Sequence, residues 1–310
     1  MKNTFLITTL LASVAFVSNA VAGGSCGDNC TWDLTDGVLT ISGTGDMDDF
    51  RDYDNNVPAA PWKDQMDSIT SVQVSNGITS IGDSAFYGAR SLTSINIPDS
   101  VTSIGNSAFN GARSLTSINI PAGVTSIGDG AFMSASSLTS ITIPAGVTSI
   151  EKFAFYGASS LTSINIPDSV TSIGEAAFDG ARSLTSINIP DSVTSIGNGA
   201  FNDARSLTSI TIPDTAALGI NLFRRTNLNN GTLHCAGVLA QCQANMRNAG
   251  YADGTYNMVQ APYSKKQADG SRVYYDANGK LTGFTGKRIY TVEEATKVSG
   301  ERNTFKIRYK

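Results

Sequence analysis

Phenylalanine recurs every 23 residues along the middle of the chain, at Phe86, Phe109, Phe132, Phe155, Phe178 and Phe201. Leu92, Leu115, Leu138, Leu161, Leu184 and Leu207 keep the same period, as do Ile97, Ile120, Ile143, Ile166, Ile189 and Ile212. Read from Leu92, one unit is LTSINIPDSVTSIGNSAFNGARS; a looser first copy begins at Ile69 and the pattern stops after Pro213. A short unit repeated at constant spacing folds as a stack in which each copy touches only its neighbours.

The unit also predicts its own local structure. In LTSINIP, Ile95 and Ile97 alternate with Ser94 and Asn96, so the isoleucines face inward and the polar pair outward, as in a short strand. Pro98 lacks an N–H and ends the ladder. This places parallel strands at 94–97, 117–120, 140–143, 163–166, 186–189 and 209–212, paired in sequence order. VTSIGNSAF has apolar spacings too short for a stable α-helix and is expected to form a turn or 3₁₀-like return segment. Gly111 and its equivalents permit the bend into the next coil, although Ser134 and Asp203 at that position show that glycine is not obligatory. Six large apolar residues per coil, from Leu92 to Phe109, do not offset the backbone entropy of ordering one coil alone, so stacking is required. A period of 23 lies in the roughly 20–29 window of leucine-rich repeats. The expected fold is therefore a leucine-rich-repeat solenoid with 23-residue coils, parallel short β-strands, a β N-terminal cap and a small α+β C-terminal region.

Both ends of the solenoid, residues 69–213, need caps. Residues 23–68 supply the first, with the alternating GVLTISGTGDM (37–47) and VPAAPWKDQM (57–66), which contains Trp62. The acidic cluster Asp46, Asp48, Asp49, Asp52 and Asp54 does not match a calcium-loop spacing and reads as a solvated loop. Residues 214–262 form the second cap, with TLHC (232–235) as a last strand and GVLAQCQANMRN (237–248) as a sealing helix. Residues 263–310 form a basic tail module. RVYYDANGKLTGF (272–284) predicts a hairpin about Asn278-Gly279, Thr291 and Glu294 a capping box, and NTFKIRYK (303–310) a strand. Charge divides the same way: residues 1–260 carry 11 Lys/Arg and 21 Asp/Glu, net −10, whereas 261–310 carry 11 and 5, net +6. The basic tail either meets an anionic envelope surface or forms a small solvated cap.

The order GVLTISGTGDM, then APW, then tandem LTSINIPDSVTSIGNSAF resembles BspA-like leucine-rich-repeat surface antigens over roughly residues 26–213. The resemblance implies a secreted or surface-exposed protein that binds host or neighbouring-cell components, often extracellular-matrix proteins. Family repeats often carry GCSSL before the strand. This chain has alanine at the cysteine position, at Ala89, Ala112, Ala135, Ala158, Ala181 and Ala204, which removes free thiols. The family is defined by its scaffold, so the resemblance does not specify a ligand.

Export is expected from the N-terminus. Lys2, the apolar run 4–17 and Ala20-Val21-Ala22 are expected to form a signal peptide (1–22) with cleavage before Gly23; the alternatives are lipidation at Cys26 or a retained anchor. An oxidising destination makes disulfides the expected state of the four cysteines. The length of the stack separates the two ends by more than a disulfide can span, leaving Cys26–Cys30 and Cys235–Cys242. Residues seven apart on one helix stand about 10.5 Å apart, so the second bond requires Cys235 to precede the helix.

Little in the chain points to catalysis. His234 is the single histidine, and its neighbour Cys235 would face the opposite side of a strand. The cysteine spacing fits no zinc site, and no cofactor or nucleic-acid partner is expected. The candidate binding surface is the outward strand face: Ser94, Asn96, Ser117, Asn119, Ser140, Thr142, Ser163, Asn165, Ser186, Asn188, Ser209 and Thr211. It is polar and uncharged, which suits weak repeated contacts or plain solvation. A column of Arg90, Arg113, Arg182 and Arg205 lapses at Ser136 and Ser159; a column of Asp99, Asp168, Asp191 and Asp214 lapses at Ala122 and Ala145, so one column is expected to balance the other if they lie close. The function expected is adhesion to an extracellular protein or glycan, and the alternative is a structural or self-assembling envelope component.

Overall fold

The structure, a computed structural model, describes residues 20–50, 59–228, 231–237, 239–252, 255 and 258–260, and strand segments at 263–266, 272–275, 281–285 and 290–291. Each 23-residue unit is one coil of a solenoid. On one side lie Ser71–Val74, Ser94–Asn96, Ser117–Ile118, Ser140–Thr142, Ser163–Asn165, Ser186–Asn188 and Ser209–Pro213. Paired neighbours are parallel and registered on equivalent residues, as in Ser140↔Ser163, Ile141↔Ile164 and Thr142↔Asn165. The ladder is interrupted after Ser94–Asn96 and again after Ser163–Asn165. Most of these strands end a residue or two earlier than the alternation predicts, because the following proline has no N–H to extend the ladder.

The return segment differs from expectation. Its Ser-Ile pairs build a second parallel face, with Ile78–Ile81, Ser103–Ile104, Ser126–Ile127, Ser149–Ile150, Ser172–Ile173, Ser195–Ile196 and Ala217–Leu218. Two-residue strands are too short to show alternation in a sequence. The remainder of the segment is turn, and it too bonds to the next coil. The N–H groups of Ser84, Phe86 and Gly88 donate to the carbonyls of Asn106, Ala108 and Asn110 at 2.8, 2.8 and 2.7 Å. Ser84 and Gly88 are left-handed, with φ of 55° and 77°, and the equivalent residues of later coils repeat this as far as Asn221 and Arg225. Ser134 and Asp203 adopt the same conformation as the glycines of their column, with φ of 57° and 55°. The bend thus demands a backbone shape and not a residue type.

Aromatic rings form the spine of the core. Phe86 to Phe201 are fully buried and stack at centroid distances of 5.4, 5.4, 5.6, 5.4 and 5.5 Å. The caps continue the column. Trp62 stacks on Phe86 at 6.0 Å while its indole N–H donates to the Ala85 carbonyl at 2.8 Å. At the other end Phe223 stacks on Phe201 at 6.0 Å and Tyr251 tilts against Phe223 at 6.2 Å. The stack therefore does not stop where the letter pattern stops, at Pro213. Ser209–Pro213 pairs in parallel with Thr232–Ala236, which pairs with Met258–Gln260. Leu222, Phe223, Leu228 and Leu233 fill the core positions here, keeping volume while losing the repeated spelling.

At the N-terminus, Ala20–Gly27, Cys30–Thr35 and Val38–Gly43 form an antiparallel sheet whose last strand runs parallel to Ser71–Val74. Ala20 and Val21, within the expected signal peptide, pair with Thr35 and Leu34; residues 1–19 lie outside the described residues. Both disulfides are as expected. Cys26–Cys30 joins Cα atoms 4.9 Å apart, and Cys235–Cys242 joins Cα atoms 6.1 Å apart. Cys235 sits on the strand and Cys242 on the helix Leu239–Asn248, so the chain folds back between them. Asn245 fastens that helix to the last coil by donating to the carbonyls of Asp214 and Ala216, each at 2.9 Å. In the tail, Arg272–Tyr275 pairs antiparallel with Leu281–Thr285, as the hairpin reading requires. The Asn278-Gly279 turn, Glu294 of the expected capping box and the strand at 303–310 lie outside the described residues; Thr291 closes the strand Tyr290–Thr291.

Phe155 sits mid-spine between Phe132 and Phe178. Phe155→Ala is expected to lower unfolding free energy by about 3–5 kcal/mol in reversible denaturant melts. A loss below about 1 kcal/mol would mean that the column is not core.

Candidate functional site

Strand alternation and inter-coil register together produce the polar face. Ile118, Ile141, Ile164 and Ile187 are buried, while Ser117, Asn119, Ser140, Thr142, Ser163, Asn165, Ser186 and Asn188 on either side of them are exposed. Ser94 and Asn96 are exposed as well, around a half-buried Ile95. Ser209 and Thr211 are half-buried, on the strand that leads into the C-terminal cap. Between neighbouring coils, threonine hydroxyls next to this face bond to backbone. Thr139 and Thr162 each donate to the Thr carbonyl one coil earlier, at 3.1 Å in both cases. The outward serine and asparagine columns are thus bordered by hydroxyls already engaged in holding coils together.

Two members of the arginine column find their carboxylate outside the aspartate column. Arg182 and Arg205 both bind Asp203, a bend residue of the next position over. The Arg182 guanidinium lies 3.1 Å from Asp203 Oδ2, and Arg205 Nε lies 2.8 Å from Oδ1. Asp203 is 10% exposed at its side chain, whereas the arginines are more than half exposed. The Arg205 hydrogen bond holds the Asp203 carboxyl below the usual carboxylate range, against its burial and with help from Arg182.

Sequence reasoning missed a cavity of about 230 Å³ beside this ion pair, lined by Tyr156, Gly157, Ser159, Asp179, Gly180, Arg182 and Asp203. Three coils contribute to it. It opens where Ser159 interrupts the arginine column, and that lapse was the signal available in the sequence. Asp179 accepts from Asn202 Nδ2 at 2.8 Å. Desolvation raises the Asp179 pKa, with Asp203 adding to the rise and Asn202, Arg182 and Arg225 opposing it.

Other candidates resolve into scaffold. Asp46 accepts from the Thr79 hydroxyl at 2.6 Å and Asp49 from the Asp83 N–H at 2.9 Å, so these members of the acidic cluster tie the cap to the first coil. Among the described residues no group of three or more His, Cys, Asp or Glu could hold a metal ion. His234 is half-buried and points away from the buried Cys235, as the strand reading expects.

The family model described as "BspA type Leucine rich repeat region (6 copies)" matches residues 63–182 and 125–238, which together span more than half of the 310 residues. The chain belongs to this family. It is a leucine-rich-repeat protein of BspA type, and the family extends through the coil after Pro213. No curated protein matches it. Among solved structures, a leucine-rich repeat protein from Eubacterium ventriosum is 24% identical, with 70% of this chain and 78% of that one covered and a TM-score of 0.33. The Treponema pallidum leucine rich repeat protein is 20% identical, with coverage of 71% and 92% and a TM-score of 0.37. A leucine rich cell surface protein from Faecalibacterium prausnitzii is 20% identical, with coverage of 72% and 97% and a TM-score of 0.28. At these scores the three add nothing to what the family match and coil geometry already establish.

The depressed pKa of Asp203 fixes the sign of a pH effect. A carboxyl whose folded pKa lies below its unfolded value stabilises the fold above the unfolded value and loses that contribution as pH falls through the folded value. Asp203→Asn keeps side-chain shape and is expected to cost about 1 kcal/mol at neutral pH, a modest figure because both arginines are largely exposed. Urea melts in strong acid should show the wild type and variant converging; a gap that persists there would remove the ion pair as its cause.

Proposed function

We propose that this protein is a non-catalytic binding module, exported and displayed outside the cytoplasm, which meets an extracellular macromolecule through its outward strand face. The observation that carries the reading is registration: Ser140↔Ser163 and Thr142↔Asn165 pair directly across coils, so small polar groups recur at equivalent positions from coil to coil. Neighbouring strands stand about 4.8 Å apart, giving a periodic array suited to an extended protein or glycan partner. The face lacks the aromatic and arginine anchors of tight interfaces, so affinity is to be sought in many weak contacts. The basic tail 263–310, with 11 Lys/Arg against 5 Asp/Glu and a net charge of +6, is the segment proposed to meet an anionic envelope surface.

Charged residues introduced together at Asn119, Thr142 and Asn165 should abolish capture of extracellular-matrix proteins or glycans on arrays while shifting Tm little, since all three side chains are exposed. Undiminished capture by the folded triple variant would move the site to the loops or the tail. Filaments that form with rising concentration and without ligand would favour a self-assembling envelope component instead.

A further inference from the structure

The notch at Tyr156, Ser159, Asp179 and Arg182 is a cavity of mixed chemistry that opens where Ser159 departs from the repeat. One variable position, two column glycines and the serine that replaces an arginine shape it. The position after the core phenylalanine holds Tyr156 in one coil, Asp179 in the next and Asn202 in the third. Gly157 and Gly180 leave its floor as bare backbone, in left-handed conformations with φ of 69° and 73°. Ser159 replaces the arginine found at that position in four coils, and its short side chain turns down to donate to the Ser136 carbonyl at 3.3 Å. What an arginine would cover is left open.

The polar groups narrow the occupant. Both oxygens of Asp203 are held by Arg182 and Arg205, which leaves Asp179 as the one carboxylate with capacity for a ligand. One Asp179 oxygen takes the Asn202 amide, at 2.8 Å. A single available carboxylate is far short of the roughly six to eight oxygens a calcium ion takes. An anion would meet two carboxylates, and an ammonium group would meet Arg182. An uncharged polyhydroxyl ligand faces neither conflict: its hydroxyls donate to Asp179 and accept from the Arg182 guanidinium. Tyr156 adds an aromatic ring for the apolar face of a sugar, and that ring is steadied edge-on by Phe153 at 6.0 Å and 75°. Phe153 is itself 38% exposed, which extends the apolar wall outward. The volume of about 230 Å³ is below the roughly 300–1,000 Å³ of sites for drug-sized ligands, a fit for one ring.

We infer that this notch binds a single neutral hexopyranose, presented as a terminal residue of a glycan, with Tyr156 under the ring and Asp179 and Arg182 holding adjacent hydroxyls. The site lies off the strand face and stands independently of the reading proposed for that face. One sugar ring held in an open notch binds weakly, and the affinity is expected in the millimolar range.

The test uses the full chain and the methyl glycosides of glucose, galactose, mannose and N-acetylglucosamine, followed by saturation-transfer NMR and calorimetric titration. At least one should bind saturably, at one site per chain. Ser159→Arg, which restores the residue other coils carry and fills the notch, should weaken that binding about tenfold or more, a difference readily resolved by titration. Tyr156→Ala should do the same by removing the ring, and it serves in place of Ser159→Arg if that variant melts early. Asn110→Ala, in the same column two coils away, and the charged variant at Asn119, Thr142 and Asn165 should bind sugar as the wild type does. No saturable binding of any of the four glycosides overturns the inference. So does binding that survives both notch variants, or binding lost in the strand-face variant.

Discussion

Backbone hydrogen bonds that pass from each coil to the next are what the remaining structure depends on. They run along three parts of the coil: the outward-serine strand, whose ladder is interrupted in places, the two-residue Ser-Ile strand and the left-handed bend. A single coil has too few apolar side chains to overcome the entropy of ordering it, so these bonds and the packing they enforce come only with a neighbour. The bend shows the constraint most directly. Ser134 and Asp203 accept a left-handed backbone that disfavours side chains because that shape turns their N–H groups to the carbonyls of Tyr156 and Arg224. The same dependence explains the caps. Trp62 and Tyr251 extend the phenylalanine column at its two ends, and the disulfide Cys235–Cys242 fixes the last strand to the helix that covers it.

Repetition shapes what such a scaffold can recognise. Any surface built from positions common to all coils is periodic, and the strand face with its serine and asparagine columns is of that kind. It can engage a long partner through many equivalent weak contacts. A site with a definite single occupant arises only where the repeat is broken. The break at Ser159, next to Tyr156 and Asp179, has that character, because a serine in place of the column's arginine leaves a cavity among groups from three coils. The charged residues near it form a local network around Asp203 and not a long balanced ladder.

The strand positions, their parallel order, the inward isoleucines and phenylalanines and the outward polar columns were all legible in the sequence. Each follows from a periodicity, of 2 within a strand and of 23 along the chain. So were the disulfide pairs, since the length of a stack separates its ends. Less legible was the second strand, Ser103–Ile104 and its equivalents, because two residues are too few to establish alternation. The coil after Pro213 was also hidden: Leu222 and Phe223 preserve buried volume in a spacing and spelling that depart from the repeat.

The sequence by itself determined that this chain is a leucine-rich-repeat stack, since a fixed period leaves little other way to bury its apolar positions. Only the tertiary structure decided which surface residues meet. Arg182 and Arg205 converge on Asp203 and not on the aspartate column, and Tyr156, Asp179 and Arg182 close around one cavity. These groups come from different coils, and their distances depend on how adjacent coils are offset and on where a bend turns each side chain. A one-dimensional pattern records the period of such positions but not the geometry across them.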